Sequence, residues 1–244
     1  GWDKLFAPQV PGFPKARYND LASIEARIGP QTAAVMLEPV QGEAGVIPAS
    51  RAFLRGLHEL TEAKGILLIV DEVQTGMGRC GSLFAYEQAG ITPDIMTLGK
   101  GLGGGVPLAA LLARKSVCCF EPGDQGGTFN GNPLMTAVGL AVLETLLEPG
   151  FLEGVRSKAE ALSQGLDSLV KRHALVGERG VGLLRALVLP DERAPKIVEM
   201  ARTRNPEGLL LNAPRPNLLR FMPALNVSDE EIGQMLSMLD ALLA

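Results

Sequence analysis

Two apolar runs constrain this chain more than anything else in it. They are Leu67-Leu68-Ile69-Val70-Asp71-Glu72 and Asp94-Ile95-Met96-Thr97-Leu98-Gly99-Lys100. Each has the length of a strand, and each delivers ionisable groups at its carboxyl end. The run from 66 to 71 is apolar throughout, which predicts a strand covered on both faces. Helical patterns surround these runs. Ser50 can cap a helix reaching about residue 64, with Phe53, Leu54, Leu57 and Leu60 on one side and Gly65 as its stop. Shorter helices are predicted over 21–28 and 82–89. Further strands are predicted over 33–39, where Pro39 ends the run, and over 107–113. Strands alternating with helices predict an α/β fold with a mostly parallel sheet. Such sheets bind ligands at the carboxyl ends of their strands. Asp71 and Lys100 both lie at such ends, so they can converge although 29 positions separate them.

The pattern changes after Gly131-Asn132-Pro133. Helices are predicted over 134–147 and 152–171, with Pro149-Gly150 between them. Short strands follow over 182–189, 209–211 and 218–221. A last helix spans 229–243, with Ser228 and Glu231 as a capping box. Residues 149–244 therefore read as a small α+β domain, and 1–148 as part of a larger α/β one. Residues 1–20 read as a loop.

Composition removes several classes of function. The net charge of −4 carries no basic stripe, and 5% aromatic residues are too few for a base-stacking platform, so no nucleic acid is expected. No apolar run reaches the roughly 18 residues of a membrane span. The three cysteines, Cys80, Cys118 and Cys119, form no C-x-x-C pair, a pattern of reducing compartments that predicts a cytoplasmic location. His58 and His173 are too far apart in sequence to suggest a metal site, and no metal is expected.

An aspartate and a lone lysine at neighbouring strand ends are what a pyridoxal phosphate (PLP) enzyme requires. The carboxylate keeps the ring nitrogen protonated, and the amine forms a Schiff base and moves protons. Asp71 and Glu72 cannot share one metal ion, because adjacent strand residues point to opposite faces. Gly99-x-Gly101-x-x-Gly104 matches a dinucleotide-binding pattern, but an apolar strand follows it rather than a helix. Gly126-Gly127-Thr128-Phe129-Asn130-Gly131-Asn132-Pro133 reads equally as a phosphate cradle or as a helix-start loop. Glu43, in Gln41-Gly42-Glu43-Ala44-Gly45, is by itself an ordinary loop glutamate. Arg220 lies in an apolar strand, where a cation calls for an anionic partner such as a carboxylate ligand.

Taken together, the segments EPVQGEAGV, LLIVDEVQTGMGRCG, PDIMTLGKGLGGGVPLAA, GGTFNGNP and NLLRFMPAL resemble the class III PLP-dependent ω-aminotransferases, in the family's order. The branch acting on N-acetylornithine is the nearest in pattern. The resemblance implies the fold of type I PLP-dependent transferases. It implies Lys100 as the residue that binds PLP covalently and Asp71 as the partner of the ring nitrogen. Glu72, Val73 and Gln74 are further cofactor contacts, with Gln74 near the phenolic oxygen. Thr128 would hold the phosphate across a homodimer interface. Gly127 would lie at the substrate, where the family often has serine. Arg220 would bind the carboxylate of glutamate or 2-oxoglutarate, and Glu43 would cover Arg220 while the other amino donor is bound. Ornithine, succinylornithine and 4-aminobutyrate are alternative donors, and a catalytically incomplete dimerisation partner is an alternative role. The family also carries sequence upstream of this start, including a phosphate-binding turn. Exposed apolar surface is therefore expected on the sheet.

Overall fold

The computed structural model describes residues 6–203 and 208–244. Residues 1–5 of the loop expected over 1–20 lie outside the described residues. Two four-stranded sheets organise the chain. The first contains β1 (Ala34–Leu37), β4 (Leu67–Asp71), β5 (Ile95–Leu98) and β6 (Ala110–Ala113), in that spatial order. β1–β4 and β4–β5 are parallel, and β6 closes the row antiparallel. The hairpin of β2 (Val40–Gln41) and β3 (Ile47–Pro48) stands apart from this sheet.

Local chemistry explains the covering helices. Ser50 caps α2 (Arg51–Lys64) by accepting from Phe53 N at 3.0 Å, and Gly65 ends it in a left-handed conformation. The face of α2 carrying Phe53, Leu54 and Leu57 packs on Leu68 and Val70, with Ile24 of α1 (Leu21–Glu25) completing the cluster. Asp94 fixes the strand starts: its N–H donates to Leu68 O at 2.9 Å, and its Oδ2 accepts from Leu68 N at 2.8 Å.

The expectation that β4 is covered on both faces does not hold. Leu68 and Val70 are buried, whereas Leu67, Ile69 and Asp71 are only half-buried. On that second face Met36 is 59% exposed and Leu111 62%. A continuous apolar run records that both faces are apolar, not what covers them. Exposed apolar surface on the sheet is thus observed.

The second sheet is antiparallel throughout, in the order β7 (Gly177–Val181), β8 (Leu184–Val188), β10 (Leu218–Phe221), β9 (Asn212–Arg215). α4 (Phe151–Arg172), α5 (Ala194–Arg202) and α6 (Asp229–Leu243) enclose its main core, built on Leu162, Leu166, Leu187, Leu219 and Leu239. α6 starts with the expected Ser228–Glu231 capping box. β7 and α5 were not predicted, and the strand expected over 209–211 lies at 212–215. β7 has little apolar pattern; its pairing with β8 makes it a strand. α3 (Pro133–Leu146) links the two parts, packing beside Lys100–Gly103.

The second sheet is joined to the β2–β3 hairpin and to the segment after β4 by a shared core of Val40, Val46, Cys80, Ala85, Leu184, Ala186 and Leu218. Burial pushes the Cys80 thiol up to about 12, so it stays a neutral core group. Arg79 strengthens the junction: its Nη1 donates to Leu183 O at 3.1 Å and Pro223 O at 2.6 Å, and its carbonyl accepts from Leu183 N. Among the described residues no single helix is long and apolar enough to cross a membrane; α3 and α4 pass that test only as a pair bent by 74°.

Leu57 has no solvent exposure, so Leu57→Ala should lower stability by about 2–5 kcal/mol, against about 1 kcal/mol for Ser50→Ala. Equilibrium urea unfolding of the intact protein checks both. Equal losses would mean that α2 is held by its cap rather than by its apolar face.

Candidate active site

Asp71 is the last residue of β4, and its Oδ1 accepts from Val73 N at 2.9 Å, which fixes the carboxylate at the strand end. Its cross-strand partner on β5 is Thr97, three residues before Lys100. Lys100 opens a 3-10 turn, Lys100–Gly103, and is exposed. Its φ of +43° is in the left-handed region, which costs a non-glycine residue about 1–2 kcal/mol. The turn holds it there, with Leu102 N donating to Gly99 O at 3.0 Å. Lys100 borders a cleft of about 670 Å³, with Val73, Gln74, Val138, Met222 and Leu225 among its walls.

A second group of residues meets this one from the other sheet. Arg220 Nη1 lies 2.7 Å from Glu43 Oε1, and Arg220 Nε donates to Asn212 Oδ1 at 2.9 Å. Gln74 Nε2 donates to the same Glu43 oxygen at 3.3 Å. The Arg220 hydrogen bond holds the Glu43 carboxyl below its usual range, against a smaller effect of burial. A lowered carboxylate keeps such a pair charged through neutral pH, and it is lost only as pH falls below the ordinary value of 4.5. The Gln74 amide lies over Gly42, where a Cβ would stand 2.2 Å from Gln74 Oε1. Glycine is needed there because the amide occupies the side-chain space.

Glu38, one residue past β1, was missed in the sequence. Leu37 pairs with Val70, so Glu38 continues the register beside Asp71. Its Oε2 accepts from Gly42 N at 3.2 Å. Burial raises its carboxyl, Gly42 N–H opposes that, and Asp71 and Lys100 both act on it electrostatically. Glu38, Asp71 and Lys100 are therefore neighbours. Parallel pairing was the available signal, since equal strand ends place residues 38 and 71 side by side.

Other expected residues are elsewhere. Glu72 was expected at the cofactor, and its side chain binds elsewhere. Its carboxylate is 1% exposed and accepts from Thr75 Oγ1 and from Tyr86 N at 2.9 Å. Strand alternation turns it away from Asp71, and burial raises its carboxyl. It fastens the end of β4 to the following turn. Thr128 and Gly127 lie in an exposed turn, where Asn130 N donates to Gly127 O at 3.1 Å. They are not gathered with Lys100 within this chain.

A family model described as aminotransferase class-III matches residues 2–243. The chain belongs to the class-III aminotransferases. It is 64% identical over 244 residues to acetylornithine aminotransferase 2 of Bordetella parapertussis, covering all of this chain and 62% of that one. It is 47% identical over 230 residues to succinylornithine transaminase of Salmonella newport, covering 93% of this chain and 56% of that one. The crystal structure of N-acetylornithine aminotransferase from Stenotrophomonas maltophilia superposes with a TM-score of 0.85 at 37% identity, over 96% of this chain and 62% of that one. The aminotransferase chain thus spans about 62% of the length of its first curated relatives. The α/β fold of type I PLP-dependent transferases expected from the sequence is the fold observed.

The residues of this class-III aminotransferase fit PLP at its ring and aldehyde. Asp71 offers a carboxylate for a protonated ring nitrogen, and Lys100 an amine for the aldehyde. Two buried polar atoms, Gln74 Oε1 and Thr97 Oγ1, have no hydrogen-bond partner among the described residues. Orphaned groups of this kind, beside Lys100 and Asp71, suit a polar ligand. Gln74 Oε1 can accept from a phenolic hydroxyl.

Gly42→Ala should displace the Gln74 amide and weaken PLP binding by roughly tenfold, the scale of one hydrogen bond. Equilibrium dialysis of PLP against the intact variant measures this. An unchanged affinity would remove Gln74 from the cofactor's contacts.

Proposed function

We propose that the intact protein transfers an amino group from N2-acetylornithine to 2-oxoglutarate, giving N-acetylglutamate 5-semialdehyde and glutamate. The observation that carries this reading is the Glu43–Arg220 pair beside Gln74 at the edge of the lysine site. A carboxylate-binding arginine that carries its own carboxylate can serve two different substrates in turn. The identity to acetylornithine aminotransferases supports this donor. Succinylornithine is the second reading, supported by the transaminase at 47% identity. Such a reaction belongs to arginine biosynthesis. The cysteine pattern supports a cytoplasmic setting.

When bound, PLP supplies an aldehyde that condenses with amines and a ring that accepts the electron pair left on the substrate carbon. Asp71 carboxylate holds the proton on the ring nitrogen, which preserves the ring's electron demand. Lys100 Nζ would hold the cofactor aldehyde at rest and, when free, would take the proton from the substrate carbon and deliver it again as general acid. It must be neutral to do so. With the donor bound, Glu43 neutralises Arg220. With 2-oxoglutarate bound, Glu43 moves away and Arg220 binds the carboxylate in a charged, two-pronged contact.

Residues 1–148 act in this reading as part of the cofactor domain, and 149–244 as the small domain. The protein works as a homodimer, with Thr128 of one protomer holding the cofactor phosphate, and Gly127 facing substrate, in its partner's site. The exposed position of that turn, with Phe129 at 82% and Phe120 at 72% exposure, supports the assembly.

Borohydride reduction of the intact protein with PLP, followed by peptide mass spectrometry, should place one reduced cofactor on Lys100. Lys100→Ala should show neither adduct nor turnover, and an active variant would sink the assignment. Arg220→Ala should raise the KM for 2-oxoglutarate by at least roughly thirtyfold, about 2 kcal/mol, and leave the donor KM much less affected. An unchanged KM for 2-oxoglutarate would remove Arg220 from substrate binding.

A further inference from the structure

Arg179 lies in β7, a strand with no role in the chemistry described above. Its Nε and Nη2 donate to one acceptor, Gly45 O, at 2.9 and 2.8 Å. Gly45 belongs to the loop that carries Glu43. Its φ is +121°, and a Cβ there would meet Arg179 Nη2 at 3.0 Å. The next residue, Val46, has no solvent exposure and a φ of +55°. A β-branched residue in that region is a genuine outlier and needs an external hold. Arg179 supplies one from outside the hairpin, and the buried contacts of Val46 with Leu184, Ala186 and Leu218 supply the rest.

The sheet register explains why this hold matters. Arg179 is the cross-strand partner of Ala186, and Ala186 is the partner of Arg220. The three residues form one row, and directly opposed residues of an antiparallel sheet share a face. The two arginines therefore stand two strands apart, roughly 9–10 Å, with a small side chain between them. Both reach the same loop. Arg179 takes the Gly45 carbonyl, and Arg220 takes the Glu43 carboxylate at 2.7 Å. At its other end the loop is tied by Gly42 N to Glu38 Oε2 at 3.2 Å. Glu43 sits between two anchors, one on each domain.

We propose that Arg179 is a positioning residue that fixes the 42–46 loop so that Glu43 reaches Arg220, and so sets the balance between the two half-reactions. This rests on the reading that Arg220 binds the acceptor's carboxylate. Without the Arg179 hold, Glu43 spends less time on Arg220. The donor half-reaction then meets an unneutralised, largely buried guanidinium, which is costly. The dicarboxylate half-reaction meets an arginine that is free more often, and gains.

The test compares single-turnover half-reactions of the intact PLP-loaded protein with N-acetylornithine and with glutamate, for wild type, Arg179→Met, Arg179→Lys and Glu43→Gln. Arg179→Met should shift the donor-to-glutamate ratio of kcat/KM toward glutamate by roughly tenfold, in the same direction as Glu43→Gln. Arg179→Lys, which keeps one charged donor, should recover part of the shift. In a Glu43→Gln background, Arg179→Met should change the ratio by less than about twofold, because its effect passes through Glu43. Hydrogen–deuterium exchange over 42–46 should rise in Arg179→Met and less so in Arg179→Lys. Equal slowing of both half-reactions, an undiminished effect in the Glu43→Gln background, or unchanged exchange over 42–46 would each overturn the proposal. Exchange decides the anchoring independently of substrate. Failure of the wild type to use either substrate would instead overturn the proposed function.

Discussion

Parallel pairing of β4 with both of its neighbours forces three strands to run the same way and to end on the same edge. Glu38, Asp71 and Lys100 hang from that edge. Glu38 follows β1, Asp71 ends β4, and Lys100 follows β5 by two residues. The ladder keeps them in register through Leu37↔Val70 and Asp71↔Thr97. Hydrogen bonds between strands fix spacing along the edge to a few ångströms, which a loop could not do. The cross-strand clasp of Asp94 on Leu68 prevents a slip that would turn Asp71 to the covered face.

Arginines from both sides tie the second sheet to the rest of the chain: Arg179 and Arg220 from its own strands, Arg79 from the turns after β4. Arg79, Arg179 and Arg220 each reach across the domain junction. Arg79 and Arg179 bind backbone carbonyls, and Arg220 binds a carboxylate. A planar guanidinium offers several donors in fixed directions, so one side chain can satisfy carbonyls that a turn leaves unpaired. The apolar cluster around Val46 and Leu184 lies at this junction, and the arginines bind across it. Among the described residues, three of the five non-glycine residues with positive φ, Val46, Met77 and Lys100, lie at these places. Each lies in a loop attached to the lysine edge or to the junction, where surrounding contacts hold an unfavourable backbone.

Much of this was legible in the residues. The Ser50 cap and the Gly65 stop bounded α2 because capping is local chemistry. The Ser228–Glu231 box located α6 for the same reason. Lys100 and Arg220 stood out because a lone cation within apolar sequence needs a partner. β7 was not legible, since Gly-Glu-Arg-Gly-Val has no apolar period and becomes a strand by pairing with β8. The helix α5 is short, and its burial depends on a sheet formed later in the chain. The anchoring partners of Glu72 were not legible either, since strand geometry sends its side chain to the face opposite Asp71. Glu38 was hidden because its significance lies in a neighbour 33 positions away.

By itself the sequence determined which groups could do chemistry and where helices begin and end, because side-chain type, capping and periodicity act within a few residues. It also determined the α/β class and the likeness to the class-III aminotransferases. Tertiary structure decided which groups meet. It set Glu38 beside Asp71, laid the Gln74 amide over Gly42, and turned Glu72 into the scaffold. It also placed Arg179 and Arg220 in one row against the loop of Glu43. Apart from those of Glu72, these are relations between residues 32 to 177 positions apart, fixed by strand register and contact between the two parts. No local pattern encodes them, because they exist only once the ladders have formed.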